Sequence, residues 1–182
     1  MQIIRKSLLA LSVIAFLCAD VCAQDLETRY FDVTVHEDVD IVQLYSQIHV
    51  NEFEHLDILV GGDLSDPTQG LKECLDALYL EVSDILDIHL RTVRYKIEIY
   101  SSKLDLAEVS VRNYGYHKHG SAYYSFERNT LYFCAEELRT GILGHEMAHA
   151  IVCSYFVVPP PEKAQEILCG YVEFQLNKKL AL

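Results

Sequence analysis

Residues 141–151 read GILGHEMAHAI, and the rest of the chain is organised around this stretch. His145 and His149 are four residues apart, which on an α-helix places both imidazole rings on one face, one turn apart. Two imidazoles in this arrangement can hold one metal ion, and Glu146 would lie beside the ion, where a bound water would be. The surrounding side chains are apolar, as a helix packed in a core requires: Ile142, Leu143, Met147, Ala148, Ala150, Ile151 and Val152.

The order His-Glu-x-x-His is the pattern of zinc hydrolases. The simpler interpretation is a buried amphipathic helix with polar interruptions. Two histidines and a glutamate are costly to bury without partners, however, and a metal ion is their usual partner. The sequence therefore predicts one zinc ion per chain, bound on a helix over residues 136–155.

The third zinc ligand has to be sought elsewhere, because a catalytic zinc takes three protein ligands and keeps one position for water. The H-E-x-x-H-x-x-G-x-x-H class is excluded, since Val152 and Tyr155 replace its glycine and third histidine. No histidine follows His149, and the last aspartate is Asp105. A downstream ligand is therefore a cysteine or one of three acids: Glu162, Glu166 and Glu173. Cys153, one turn beyond His149, could instead be a fourth ligand that closes the site and excludes the water.

The three glutamates share one face of a helix predicted over residues 162–177. Pro159-Pro160-Pro161 ends the preceding helix, so the two helices can lie side by side. Glu162 lies in the first turn, where an acid is often only a dipole partner, and Glu173 lies about two turns beyond Glu166. Glu166 is favoured because burial is expected for an acid followed by Ile167, Leu168 and Cys169.

Two segments, GHEMAHAIV at 144–152 and QEILCGYVEF at 165–174, resemble the gluzincin clan of zinc metallopeptidases. The closer resemblance is to small peptidase-MA-like domains, whose second signature is E-G-x-A-x-Y-x-E. Glu166, Tyr171 and Glu173 match the E, Y and E of this signature. Cys169 replaces its small alanine.

The resemblance implies that Glu166 is the third zinc ligand and Glu146 the catalytic acid and base. The implied activity is a secreted zinc metallopeptidase that hydrolyses peptide bonds through a zinc-activated water. An edge strand near residues 123–126 could bind a peptide or protein substrate by strand addition. Candidate donors to the oxyanion are Tyr171, Tyr155 and His119.

Three departures from the family pattern keep an alternative open. Ile167 replaces the glycine of the second signature. Gly170 stands where some gluzincins carry an acid bonded to a zinc histidine, so such a carboxylate comes from elsewhere or is absent. The chain ends at Leu182, whereas larger relatives have a further helical domain that closes the cleft. The alternative is a non-catalytic zincin-fold binding protein with a structural or vestigial zinc, or a cleft completed by a protein partner.

The remaining patterns fit a zincin-like α+β domain over residues 24–182, with a small twisted mixed sheet packed on a long helix. Hydrophobic periodicity predicts that long helix over 71–90 and a further helix within 38–50. Residues 103–112 read as a short helix or an irregular segment. Alternating patterns predict four strands: 29–37, 95–100, 122–127 and 130–134.

The N-terminus has the features of a secretory signal. Arg5 and Lys6 precede an apolar run over residues 7–19, and Val21-Cys22-Ala23 offers small residues for cleavage. We therefore expect residues 1–23 to be removed and the protein to be secreted or periplasmic, without stable membrane insertion. With 15 Lys+Arg against 27 Asp+Glu, the chain has a net negative charge and lacks the excess of basic residues expected of a nucleic-acid-binding protein.

Export implies an oxidising compartment and hence disulfides among the four remaining cysteines. The positions of these cysteines favour the pairs Cys153–Cys169 and Cys74–Cys134. The alternative is that the four are free, buried thiols that act as small apolar side chains.

Overall fold

The computed structural model describes residues 23–48, 55 and 66–180, and its five strands there form one mixed sheet. The strands span Gln24–Glu27 (β1), Phe31–Val35 (β2), Tyr95–Tyr100 (β3), Ala122–Ser125 (β4) and Thr130–Cys134 (β5). Their order in the sheet is β1-β2-β3-β5-β4. The central strands β2, β3 and β5 run parallel, and both outer strands pair antiparallel.

Five helices and one 3-10 turn complete the described residues, which confirms an α+β protein. The helices span Ile41–Gln47 (α1), Pro67–Leu86 (α2), Lys103–Tyr114 (α3), Thr140–Tyr155 (α4) and Glu162–Leu180 (α5). The 3-10 turn covers Ala135–Glu137. Within the described ranges, every helix is too short or too polar to cross a lipid bilayer.

The two faces of the sheet bury different sets of side chains, because successive residues of a strand point to opposite faces. On β5, Leu131 and Phe133 point into the main core, which they share with α2, α4 and α5. Tyr132 and Cys134 point to the other face and pack against α3. The His-Glu-x-x-His helix is therefore held between the main core and the outer strand β4.

Local capping sets the bounds of the helices that flank the sheet. The Asp66 side chain accepts a hydrogen bond from the Thr68 amide, and Pro67 occupies the first helical position, so α2 begins earlier than predicted. Residues 103–112 form a helix, the first of the two predicted alternatives, because Ser102 and Asp105 build a reciprocal capping box.

Several other predicted bounds were wrong, among them the end of α2, which lies at Leu86 instead of residue 90. Strand β1 was missed, and the strand predicted over 29–37 is the shorter β2. The motif helix begins at Thr140 instead of residue 136, because Leu138 and Arg139 are extended after the 3-10 turn. The last helix continues to Leu180 instead of ending at residue 177.

The predicted disulfides are also wrong, since all four cysteines in the described ranges are free and buried. Cys74 belongs to the main core and Cys134 to the cluster on the other face, so the sheet separates them. Cys153 donates to the Gln165 side chain, 3.2 Å away, and Cys169 lies in the main core. The signal-peptide prediction falls mainly on residues 1–22, which lie outside the described residues.

Candidate metal centre

The helices α4 and α5 pack against each other at a glycine next to the first histidine. A Cβ atom at Gly144 would lie only 2.0 Å from Cδ1 of the fully buried Leu176. The missing side chain therefore lets α5 approach α4 closely. The helices run antiparallel, so the first half of α5 lies beside His149 and its middle beside His145.

Each imidazole is fixed through its Nδ1 atom by an oxygen on α5. His145 Nδ1 lies 3.1 Å from Glu173 Oε2, and His149 Nδ1 lies 3.2 Å from Gln165 Oε1. The Gln165 amide donates through Nε2 to the carbonyl of Pro160, which fixes its oxygen towards the histidine. Carboxylate and amide oxygens accept hydrogen bonds here, so both Nδ1 atoms carry the protons.

The Nε2 atoms then present lone pairs, and both point at one carboxylate. Glu166 Oε2 lies 3.5 Å from Nε2 of His145, and Glu166 Oε1 lies 3.3 Å from Nε2 of His149. With the protons on Nδ1, these contacts join acceptors to acceptors. Such an arrangement is repulsive unless a cation lies between the groups, and it therefore fits a bound metal ion.

Protonation of both imidazoles would be the other way to supply positive charge. The two rings are only 5.1 Å apart between centroids, so two imidazolium charges would repel each other. Burial lowers the pKa of His149, and the adjacent His145 lowers it further, against the opposing hydrogen bond to Gln165. A single divalent ion shared by both rings supplies the positive charge without placing two imidazolium charges side by side and without protonating the buried His149.

Cys169 offers a second set of ligands, since the sequence left a cysteine ligand open without singling out this residue. Ligand atoms of His145, His149 and Cys169 all lie within 4.8 Å of one another. The thiol is fully buried and burial raises its pKa, whereas Glu166 approaches from solvent. The residues present can thus hold a metal through Glu166 on the open side, Cys169 on the core side, or both.

Glu146 lies on the part of α4 that faces strand β4. Its side chain is buried, with 8% of its surface exposed, and the backbone N–H of Tyr124 donates to it. Burial is the main cause that raises the pKa of this carboxyl to about 8. The carboxyl can therefore hold or release a proton near neutral pH, as a general acid and base must.

A cleft of about 670 Å³ opens over these side chains. It is bounded by α4, the first turns of α5, strand β4 and the loop 115–121. Of the three predicted oxyanion donors, His119 lines the cleft, but Tyr155 and Tyr171 do not and are 56% and 51% exposed. Strand β4 forms the outer edge of the described sheet, as the sequence predicted.

One expectation about the acids of α5 was wrong. Glu166 is not buried, because 53% of its side chain is exposed at the cleft. Glu173, two turns beyond Glu166, contacts Nδ1 of His145 through the antiparallel packing of the two helices. Some gluzincins bond a zinc histidine with an acid at the position of Gly170. Here Glu173 supplies the carboxylate next to His145 instead. Sequence reasoning missed Gln165, although its place directly before Glu166 on the predicted helix could have suggested it.

No known protein family, curated protein or solved structure matches the chain. Its function must therefore be inferred from the side chains of the cleft.

Proposed function

We propose that this protein is a zinc-dependent metallopeptidase of zincin-like fold, similar to the gluzincins. The zinc would be held by His145, His149 and Glu166. The observation that carries the proposal is that both Nε2 atoms lie 3.3–3.5 Å from the Glu166 oxygens, while both Nδ1 atoms face acceptors on α5. Two imidazoles and one carboxylate form a ligand set of catalytic zinc, with the fourth position left for water.

A zinc ion held there would supply a bound water whose pKa is lowered towards neutrality. Glu146 takes up a proton at a carboxylate oxygen and returns it to the departing amine. The Tyr124 N–H orients the Glu146 carboxyl. Glu173 and Gln165 keep both imidazoles turned with Nε2 towards the cleft.

Strand β4 provides the place for a peptide substrate. It lies at the edge of the sheet beside the catalytic carboxyl, so the outward backbone groups other than the Tyr124 N–H, which donates to Glu146, can pair with an extended peptide. Its length of four residues is enough to align a short stretch around one peptide bond. Cleavage of the predicted signal at residues 1–23 would give a secreted or periplasmic enzyme.

A second function is favoured by one observation, the closeness of Cys169 to both histidines. If Cys169 and Glu166 both bind the metal, four protein ligands close the site and no position remains for water. The protein would then be a zincin-fold binding protein with a structural zinc.

Zinc content and proteolysis together test the proposal. We expect one zinc per wild-type chain, loss of zinc in Glu166→Ala, and retention in Glu162→Ala. Glu162 is the matched control, because it lines the same cleft and its charge acts on His149, but it forms no hydrogen bond or ion pair with either histidine that the structure records. We further expect the wild type to cleave casein and Glu146→Gln to bind zinc without cleaving it.

Zinc binding without any cleavage by the wild type would favour the binding protein. A wild-type chain that takes up no zinc, even after incubation with excess metal, would contradict both functions. Equal zinc content in Glu166→Ala and wild type would remove Glu166 from the ligand set.

A further inference from the structure

The loop 115–121 holds a lysine at the wall of the cleft in a fixed aromatic setting. The Lys118 backbone N–H donates to Oγ of Ser110, 2.9 Å away. Its Nζ lies 4.7 Å from the ring centroid of Tyr114 and 4.6 Å from that of Tyr123. Both contacts are within cation–π range, so the ammonium group is held between the end of α3 and strand β4.

Among the described residues this ammonium group forms no ion pair with a carboxylate, although the chain carries 27 acids against 15 Lys+Arg. Its charge does act on the buried Glu146, whose pKa it lowers against the larger effect of burial. No other described lysine or arginine lines the cleft. Aromatic rings attract a cation without neutralising its charge. The positive charge therefore stays available to a ligand.

Charge is distributed unevenly across the cleft. His117 and His119 flank Lys118 on the loop, whereas the acids that line the cleft lie on the helices, Glu146 on α4 and Glu162 and Glu166 on α5. An anionic group that enters the cleft is repelled from α5 and attracted to the loop. A peptide paired along β4 would run between the loop and the helices, with its side chains or its end beside the lysine.

We propose that Lys118 binds a carboxylate of the substrate and so selects peptides that carry an acidic group close to the cleaved bond. This inference rests on the proposed peptidase function. The ammonium group offers charge-assisted hydrogen bonds to a carboxylate, which are stronger than those between neutral groups. The carboxylate belongs either to an Asp or Glu side chain or to the C-terminus of the peptide.

The test measures peptide binding by the zinc-loaded full chain with Glu146→Gln, so that no peptide is consumed. The probes are fluorescent alanine octapeptides that carry one Glu at each position in turn. Each has a counterpart with Gln at the same position. Every peptide is made with a free C-terminal carboxylate and with a C-terminal amide. At a preferred position, the Glu peptide should bind about tenfold more tightly than its Gln counterpart. A preference for free acid over amide, whatever the Glu position, would identify the C-terminal carboxylate.

Lys118→Met removes the charge and keeps the length of the side chain, so it should abolish the preference while neutral peptides bind as before. Lys118→Arg should keep the preference. Lys163→Met is the matched control, because Lys163 is an exposed lysine outside the cleft lining, and it should also keep the preference. An unchanged melting temperature of Lys118→Met would exclude a purely structural effect.

Equal binding of acidic and neutral peptides to the chain with intact Lys118 would overturn the proposal, as would the absence of any peptide binding. A preference that survives in Lys118→Met would do the same. Failure of the proposed peptidase function would give a different combination of binding and cleavage results. Binding with acidic preference but no cleavage by the wild type contradicts the peptidase alone, whereas cleavage without acidic preference contradicts the role of Lys118 alone.

Discussion

The position of one proton on each imidazole decides what the candidate site can bind. Glu173 and Gln165 accept from Nδ1, so the metal-binding lone pair of each ring is directed to the cleft. Without these acceptors, either nitrogen of a neutral histidine could carry the proton and each ring could turn. The two acceptors therefore organise the site before any metal enters.

Removing the carboxylate behind His145 should weaken zinc binding without removing a ligand. We expect Glu173→Ala to lower the affinity for zinc by about 10- to 100-fold, the usual effect of losing such a partner. Competition with a chromogenic chelator measures this affinity. Glu162→Ala should leave it unchanged, and equal affinities of Glu173→Ala and wild type would contradict the assigned role.

The contribution of Cys169 can be separated from that of Glu166 with cobalt in place of zinc. If the metal is bound by the histidines and Glu166, the cobalt protein should lack thiolate-to-metal charge transfer in the near ultraviolet. Cys169→Ala should then retain full metal content, with only a modest loss of stability from the small cavity. A charge-transfer band that disappears in Cys169→Ala would instead establish Cys169 as a ligand and favour a closed zinc site.

Among the secondary-structure elements, the contact between α4 and α5 determines the geometry of the site. Gly144 is followed directly by His145, and Leu176 fills the space that a side chain at Gly144 would take. Since α5 carries Glu166 and Glu173, any increase in the distance between the helices moves these acids away from the imidazoles.

Two alanine substitutions of glycine should therefore have opposite effects. Gly144→Ala forces Leu176 or the helix to move and should cost about 1–3 kcal/mol, with weaker zinc binding. Gly170→Ala meets nothing within 4 Å and should stabilise the helix by up to about 1 kcal/mol. Urea unfolding of the metal-free proteins gives both values. Similar effects of the two variants would show that the close approach is unimportant.

The extent to which sequence predicts each element follows from burial. Strands β2 and β3 were predicted because alternate residues are buried, and the pattern is visible in their side chains. Strand β1, with the sequence QDLE, has no fully buried residue and is held by its backbone pairing with β2, so it carries no hydrophobic signal. The start of α4 was misplaced because an acidic 3-10 turn resembles a first helical turn.

At the scale of the whole molecule, the contacts that sequence left open are those between distant elements. The proximity of Glu166 to the histidine pair could be predicted because helix spacing and the order of residues restrict these positions, although the burial expected for Glu166 was wrong. The contact of Glu173 with His145 and of Gln165 with His149 depends on how α5 is placed along α4, which no local pattern determines. The same holds for the cysteines, whose separation by the sheet was not visible in the sequence.

The four free cysteines lead to a prediction about the reactivity of the folded protein. Cys74, Cys134, Cys153 and Cys169 are buried, and burial raises the pKa of each thiol. We expect them to resist alkylation in the native protein and to react fully in denaturant without prior reduction. Mass spectrometry counts the alkylated sites. Modification that requires a reductant would show that disulfides form after all.

An apolar surface extends over the end of α4, the following turn and the outer face of α5. Its exposed side chains are Tyr155, Phe156, Val157, Val158, Ile167, Leu168, Tyr171 and Phe174. Exposed apolar side chains in this number are uncommon on a protein that acts alone. We refer to these eight residues as the apolar surface.

Polar substitution within the apolar surface should hardly affect the stability of an isolated chain. We expect Phe174→Ser to change the free energy of unfolding by less than about 0.5 kcal/mol, because that side chain is already 62% exposed. Leu176→Ser on the same helix is the matched control and should cost about 2–5 kcal/mol, since Leu176 is fully buried. Urea unfolding at two protein concentrations compares them. If Phe174→Ser destabilises nearly as much as Leu176→Ser, and more so at high concentration, then a second copy of the chain covers this surface.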